Sequence, residues 1–476
     1  MKSRLLVYIL FVTAAVLAVA GLIQLGGAWF PLQGVEVVSP AERSSGALAQ
    51  MRDNAQDPLP RLILQLIVIL LASRVFGGFA RRLGQPPVIG EIAAGVLLGP
   101  SLLGWVMPDA SSFLFPIASM ATLQLLSQIG VLLFMFVVGV ELEPSYLRGK
   151  AQAAVAVSHF SIIIPFTLGV SLSLALYTRY APPGVPFHAF ALFCGIAMSI
   201  TAFPVLARIL EERHLTHTPL GTTAITCAAV DDVTAWSLLA FVVAITTAGG
   251  AVEMLLAMVA LSVMFVLLMI LVGRPILQRV LNPDKVGDTF SKERMAIVLA
   301  VMLSSALVTE IIGIHALFGA FVAGAIMPAG GTFRTVLRDR LESVSSVFLL
   351  PLFFAYTGLR TQIGLLDNVV SWAICLGIIA VATAGKLGGT VIAARWTGLP
   401  WRDSVALGAL MNTRGLMELV ALNVGYDLGI LTPEIFAMMV LMALVTTAMT
   451  GPLLSLSLNW GRRREPAAAA PLARSS

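Results

Sequence analysis

Residues 130–144 read GVLLFMFVVGVELEP, and residues 348–361 read FLLPLFFAYTGLRT. With Gly139 set against Gly358, apolar positions fall on apolar positions, and Glu141 falls opposite Arg360. The likeness extends outward. Upstream, IAAGVLLGP (92–100) resembles FVAGAIMP (321–328). Downstream, AMSITAFPVLARIL (197–210) resembles LMNTRGLMELVAL (410–422). One such match carries little weight, but three in the same order specify an internal duplication.

The composition says what solvent the duplicated unit meets. Of 476 residues, 58% are hydrophobic and 12% charged, with a mean hydropathy of +0.93. A soluble domain carries about 45–50% apolar and about 25% charged residues, so this chain is built for lipid. Fourteen apolar segments run from residue 5 to residue 458, each near the ~20 residues that a spanning helix needs. The segment at 315–328 is short for a span, and the one at 5–29 has the layout of a signal peptide. Its apolar run continues to Phe30, which favours an uncleaved helix. The expected fold is an all-α polytopic membrane protein of 13–14 transmembrane helices. An extra N-terminal helix or signal anchor (1–30) is followed by a periplasmic loop (31–61), a transmembrane domain (62–458) and a short cytoplasmic tail (459–476).

Orientation follows from the loops. With the N-terminus inside, Arg74, Arg81, Arg82, Arg148, Lys150, Arg208, Arg213, Arg274, Arg279, Lys285, Lys292, Arg294, Arg334, Arg338, Arg340, Arg395, Arg402 and Arg462–Arg464 all fall inside. Only Arg43, Arg52, Arg61, Arg179 and Arg360 fall outside. This is the positive-inside asymmetry. It places the chain in the inner (cytoplasmic) membrane with its C-terminus in the cytoplasm, and it accounts for the net charge of +5 without a nucleic-acid partner. Under this topology the two copies of the repeat run in opposite directions, as in many secondary transporters. Cys194, Cys227 and Cys375 lie in apolar runs without metal-ligand spacing.

Few ionisable residues interrupt the apolar runs. Asp231, Asp232, Lys386, Arg414 and Glu418 lie deep, and Glu91 lies nearer an end. Each charge at the bilayer centre costs about 2.5–3.5 kcal/mol on insertion scales, so these groups face protein or water and pair with one another. In TCAAVDDVTAWSLLAF (226–241) the neighbouring carboxylates point about 100° apart on a helix and have different tasks. Asp232 is the candidate for a cavity-facing site. Asp231 is the candidate for a cation elsewhere in the bundle, for which Lys386 in TAGKLGGT (383–390) is the natural choice. A carboxylate held in such a site takes a proton or a desolvated monovalent cation, not both, and this competition is enough for exchange. Arg414 and Glu418 are four apart and share a helix face.

The matching segments downstream each carry a helix breaker. Pro204 lacks an N–H and disfavours helix at Phe203, with the Ser199 and Thr201 hydroxyls at the break. Gly415 and Asn412 loosen the partner segment. Helices interrupted at mid-membrane expose carbonyls to cations and N-termini to anions. Glu141 and Arg360 end their segments on opposite faces and are candidate ion entrances or interfacial anchors. His159, His188, His214, His217 and His315 do not cluster. There is no nucleotide-binding loop, HExxH or Walker lysine. No enzymatic activity and no cofactor are expected.

At these residues the chain resembles the second branch of the monovalent cation:proton antiporter superfamily. That branch contains bacterial sodium/proton antiporters, plant cation/proton exchangers and potassium efflux systems. The resemblance rests on PPVIGEIAAGVLLGPSLLG (86–104), GVLLFMFVVGVELEP (130–144), SITAFPVLARIL (199–210), AAVDDVTAW (228–236), HALFGAFVAGAIMP (315–328), PLFFAYTGLRT (351–361), GKLGG (385–389) and ALGALMNTRGLMEL (406–419). It implies a core with two crossed, interrupted helices, a dimerisation domain and a homodimer in lipid. It also implies that Asp232 is the ion- and proton-binding aspartate, that Asp231 is the tuning position before it, and that Lys386 is its partner in electrogenic members. Thr201, Pro204 and Arg414 fall in the crossing segments. The expected activity is exchange of Na⁺ or K⁺ for H⁺. The alternative is a gated potassium efflux pathway without strict proton coupling; the double aspartate sets this chain apart from the potassium efflux systems.

Overall fold

A computed structural model describes Asn54 and residues 57–141, 151–216, 218–247, 252–281, 291–328 and 331–462. The N-terminal segment (1–30) and residues 463–476 of the tail lie outside the described residues, as does nearly all of the 31–61 loop. Among the described residues the secondary structure is helical, with no β-strand. In chain order the principal helices begin with α1 (Pro58–Arg82), α2 (Pro87–Leu98), α3 (Ile117–Glu141), α4 (Ala151–Tyr180), α5 (Phe187–Ser199), α6 (Phe203–Glu212) and α7 (Pro219–Thr247). Next come α8 (Val252–Leu268), prolonged through a π-helical turn by Arg274–Leu281, then α9 (Lys292–Ile312) and α10 (Ala316–Ala325). The last are α11 (Gly331–Val344), α12 (Leu350–Leu359), α13 (Val369–Trp396), α14 (Trp401–Met411), α15 (Leu416–Asp427) and α16 (Pro433–Arg462). The expected segments from residue 62 onward all fall on these helices; α1 starts at Pro58, inside the stretch assigned to the external loop.

Among the described residues, ten helices are long and apolar enough to cross a membrane. The bent pair α14–α15, which turns by 42° at its break, makes an eleventh. The remaining apolar segments are two short pieces. One is the half-helix α5, which ends at Ser199 before α6 restarts at Phe203. The other is α10, of 10 residues. The chain writes its helix ends in familiar chemistry. Ser291 and Asn368 accept backbone N–H bonds at the starts of α9 and α13, as capping residues do. Gly313 closes α9 in the left-handed region, at φ 93°, where glycine pays no Cβ penalty.

The duplication appears in the packing. A Cβ built on Gly95 of α2 would overlap Ala355 of α12, and one on Gly358 of α12 would overlap the Ile92 carbonyl and Gly95 of α2. The equivalent residues of the other copies repeat the contact. A Cβ on Gly324 of α10 would overlap Phe136 of α3, and one on Gly139 of α3 would overlap Phe321 and crowd Gly324 of α10. The sequence alignment pairs Gly95 with Gly324, Ile92 with Phe321, Phe136 with Ala355 and Gly139 with Gly358, so the two contacts are the same contact made twice. Each copy donates its first helix to the second helix of the other. Small residues at these crossings let the backbones approach, the usual device of helix packing in lipid.

The copies run in opposite directions. Glu141 at the end of α3 and Leu350 at the start of α12 line one large cavity. Gln124 near the start of α3 and Arg360 just past the end of α12 line a small void. The second broken pair crosses the first: the Ala202 N–H, in the break between α5 and α6, donates to the Thr413 carbonyl in the break between α14 and α15 at 3.0 Å. Gly415 sits where the two breaks press together, since a Cβ there would lie 2.9 Å from Val205 Cγ2 and 3.3 Å from Ala202 Cβ.

Candidate functional site

Four half-helix ends meet at this crossing, and the last carbonyls and first N–H groups of a helix have no partners within it. Their treatment is unequal. The C-terminal turn of α5 presents the carbonyls of Ala197, Met198 and Ser199. Arg414 donates from Nη1 to Ala197 O at 2.7 Å and from Nη2 to Met198 O at 2.6 Å. Lys386 Nζ donates to Ser199 O. Two cations thus meet the negative end of one short helix, the sign the macrodipole favours. The end of α14 receives neutral groups among the described contacts. Thr201 Oγ1 donates to Met411 O at 3.0 Å, and Thr447 Oγ1 accepts from the Arg414 N–H and donates to the Arg414 carbonyl at 3.0 and 2.8 Å.

Lys386 reaches the crossing because the helix that carries it can come close. It is flanked on α13 by Gly385 and Gly389. A Cβ on the first would lie 3.0 Å from Pro165 Cα, and one on the second 3.0 Å from Phe160 O, both on α4. Buried completely, Lys386 Nζ lies 3.1 Å from Asp231 Oδ2, and that carboxylate is equally buried. Ser161 Oγ of α4 lies 3.5 Å from the other oxygen. Arg414 Nη1 pairs with Glu418 Oε2 at 3.2 Å, again with both side chains fully buried. Glu418 lies in the first turn of α15, where a negative charge complements the helix start.

Asp232 is different. Only 2% exposed, it has no hydrogen-bond partner at either Oδ1 or Oδ2. The backbone N–H of Phe203, at the start of α6, faces it. A buried carboxylate without donors is costly as an anion. A bound proton or a bound desolvated cation removes that cost equally well, so this oxygen pair suits either. Ser158 Oγ and Asn412 Oδ1 are further buried oxygens without a partner.

A cavity of about 900 Å³ leads to this crossing. Phe203 and Leu416, the first residues of α6 and α15, form part of its lining. Glu91, Glu141, Glu211 and Glu342 line its walls together with Arg208 and Arg338. At the other end of α15 the void is only about 30 Å³.

The structure therefore brings together Asp231, Asp232, Lys386, Thr201, Arg414, Glu418 and Gly415, and the backbone of Pro204 opens α6 beside them. It sets Glu141 on the cavity and Arg360 at the far end. Sequence reading did not single out Ser158 or Ser161, since the charge on their helix, Arg179, lies in its last turn far from them. It also passed over Asn423 and Asp427, whose spacing of four puts them on one face of α15. Arg414 and Glu418, also four apart, pair without sharing a helix, because Arg414 lies in the break before Leu416.

A sequence profile described as sodium/hydrogen exchanger, transmembrane, matches residues 67–460. The chain belongs to the sodium/hydrogen exchanger family. It is 45% identical over 396 residues to the Na(+)/H(+) antiporter NhaS4 of Synechocystis sp., an alignment that covers 82% of this chain and 96% of that one. It is 40% identical over 423 residues to Cation/H(+) antiporter 17 of Arabidopsis thaliana, covering 88% of this chain and 51% of the plant protein. The chain thus spans about half the length of that exchanger relative. The fold matches the sodium proton antiporter MjNhaP1 of Methanocaldococcus jannaschii with a TM-score of 0.52 at 16% identity, over 85% of this chain and 98% of the other.

Proposed function

We propose that this exchanger-family chain is a secondary antiporter that carries a monovalent cation, Na⁺ or K⁺, against H⁺, with Asp232 as the site for which the two compete. The observation behind the reading is the difference between two adjacent carboxylates. Asp231 is held by Lys386 at 3.1 Å, whereas both oxygens of buried Asp232 lack a partner. A fixed neighbour and a free acceptor make a site that binds one positive species at a time. The names of the relatives, a Na(+)/H(+) and a cation/H(+) antiporter, favour exchange over a pathway without proton coupling.

The same reading places the chain in the inner membrane, with the large cavity and the C-terminus on the cytoplasmic side. The arginines of the cavity wall, Arg208 of α6 and Arg338 of α11, are among the basic residues that the positive-inside bias assigns to the cytoplasm. It also takes the working unit to be a homodimer. The span Glu253–Leu281 is the least buried of the candidate spans, an apolar face open to lipid or to a second copy. The domain that carries transport is 62–458, with Thr201, Arg414 and Glu418 supporting the site.

The test is dequenching of a pH-sensitive dye in everted vesicles on addition of Na⁺, K⁺ or Li⁺. Wild type should release protons from the lumen with at least one of these ions, and Asp232→Asn should not. Full exchange by Asp232→Asn would overturn the assignment.

A further inference from the structure

At the end of α15 remote from the cavity, a polar cluster joins two parts of the bundle. Arg360, just past α12, donates from Nη2 to Asp427 Oδ1 at 2.6 Å and from Nη1 to Asn423 Oδ1 at 3.0 Å. Asn423 Nδ2 donates to Thr357 Oγ1 of α12 at 2.9 Å. Gln124 Nε2 of α3 donates to Asp427 Oδ2 at 3.1 Å. The guanidinium carbon lies 4.3 Å from the centre of the Tyr426 ring and 5.3 Å from that of Tyr356, so one ring from each side packs against it. Every one of these bonds runs from α3 or α12 to α15.

Three helices connect this cluster with the cavity. α3 carries Gln124 at the cluster and Glu141 at the cavity; α12 has Leu350 at the cavity and Arg360 beyond its other end; α15 opens at the cavity with Leu416 and ends at the cluster with Asp427. Leu416 and Asp427 are eleven residues apart, or about 16 Å at the helical rise. The gap is open by about 900 Å³ at one end and by about 30 Å³ at the other. An ion leaving the crossing away from the cavity must part α15 from α3 and α12, and the cluster spans that route.

We propose that Arg360 and Asp427, braced by Asn423, Thr357 and Gln124, form a latch that holds the end of the transport pathway remote from the cavity shut and must open in each cycle. Arg360 is then a gate residue and not a port for ions. Its planar fork serves two acceptors on one face of α15 while it packs on two rings, a task that an ammonium cannot duplicate. The latch rests on the antiport reading for its role in a cycle, but the opening itself is measurable without transport.

The test uses purified full-length protein in detergent carrying Val424→Cys, a residue that is 5% exposed and lines the small void, with labelling by a soluble maleimide. With the latch intact, labelling should be slow. Arg360→Ala and Asp427→Ala should each speed it about tenfold, the change expected when a closed state loses a decade of its population advantage. Gln124→Ala, a peripheral brace, should give a smaller rise in the same direction. Arg360→Lys should fall between wild type and Arg360→Ala. Thermal unfolding of each variant separates opening from loss of fold. Labelling at the wild-type rate in folded Arg360→Ala and Asp427→Ala would overturn the latch. Asp232→Asn, which removes exchange under the antiport reading, should label as slowly as the parent, so a failed transport assay and a failed latch are distinct results.

Discussion

Thr201 and Arg414 occupy equivalent positions of the two broken segments, and each caps the half-helix of the other. Thr201 donates to the carbonyl of Met411, and Arg414 donates to the carbonyl of Met198. Met198 and Met411 are themselves equivalent, three residues before Thr201 and Arg414 respectively, so each carbonyl is capped from the opposite segment. A two-fold device has thus been kept in geometry and made unequal in charge. Threonine supplies a neutral hydroxyl to one helix end, while arginine supplies a cation to the other and Lys386 adds a second. The crossing is polarised as a result. Positive charge gathers at the end of α5, and carboxylates stand at the starts of α6 and α15.

That inequality predicts unequal mutations. Removing a neutral hydroxyl bond costs about 0.5–1.5 kcal/mol, whereas bonds to charged groups contribute about 1.5–3 kcal/mol. Thr201→Val should lower thermal stability slightly, and Thr201→Ser should restore it. Arg414→Ala should lower it far more, since it leaves two α5 carbonyls and the Glu418 carboxylate without their donor. Arg414→Lys should recover only part, because one ammonium does not reproduce the fork. Equal melting losses in Thr201→Val and Arg414→Ala would refute the asymmetry.

The pair Asp231–Lys386 predicts non-additivity. Removing one member of a buried ion pair typically costs about 3–5 kcal/mol, because a charge is left alone, while replacing both is often near neutral. Lys386→Met should therefore destabilise strongly. Adding Asp231→Asn to it should recover much of that loss, although Ser199 O still lacks its donor. A thermal-shift cycle of the two singles and the double measures the coupling. Simple addition of the single effects would show that the contact contributes no coupling.

Much of this arrangement was legible in the sequence. The period of apolar runs and the order of the three duplicated stretches gave the helices and the repeat, because lipid leaves the backbone few alternatives. Asp231, Asp232, Lys386, Arg414 and Glu418 stood out because a charge in an apolar run is expensive. Carbonyl partners did not stand out. That Lys386 answers Ser199, or that Arg414 answers Ala197 and Met198, depends on how the broken helices cross, and main-chain atoms leave no mark in composition. Asp427 escaped for the opposite reason. It lies at a helix end, where an acid is ordinary and only its partner Arg360 gives it meaning.

The repeated glycine contact gives a stability prediction with an internal control. Gly95→Ala, Gly139→Ala, Gly324→Ala and Gly358→Ala each place a methyl against backbone atoms of the facing helix, which a neighbour cannot move aside. Overpacking of this kind costs about 1–3 kcal/mol. Gly377→Ala and Gly388→Ala, both on α13, meet no atom within 4 Å and should leave the melting temperature unchanged or raise it, since alanine is the better helix former. Comparable losses at all six positions would show that the four contacts are not special.

The cavity makes the final prediction. Glu91, Glu141, Glu211 and Glu342 line it with two arginines, and a cleft with an excess of one sign concentrates counter-ions at its mouth. Glu141 stands at the end of α3, on the cavity wall and apart from the buried pairs, a position from which the proposed role of ion entrance requires it to act on arrival and not on binding chemistry. Glu141→Gln should raise the apparent KM for the cation severalfold while leaving the maximal exchange rate near wild type. The difference should shrink as ionic strength rises, since screening shortens the reach of such charges to about 8 Å at physiological salt. Everted-vesicle rates across a cation series at two ionic strengths, with choline as the balancing ion, measure both quantities. A fall in maximal rate at unchanged KM would instead place Glu141 in the transport step itself, and a KM shift indifferent to salt would point to direct ligation.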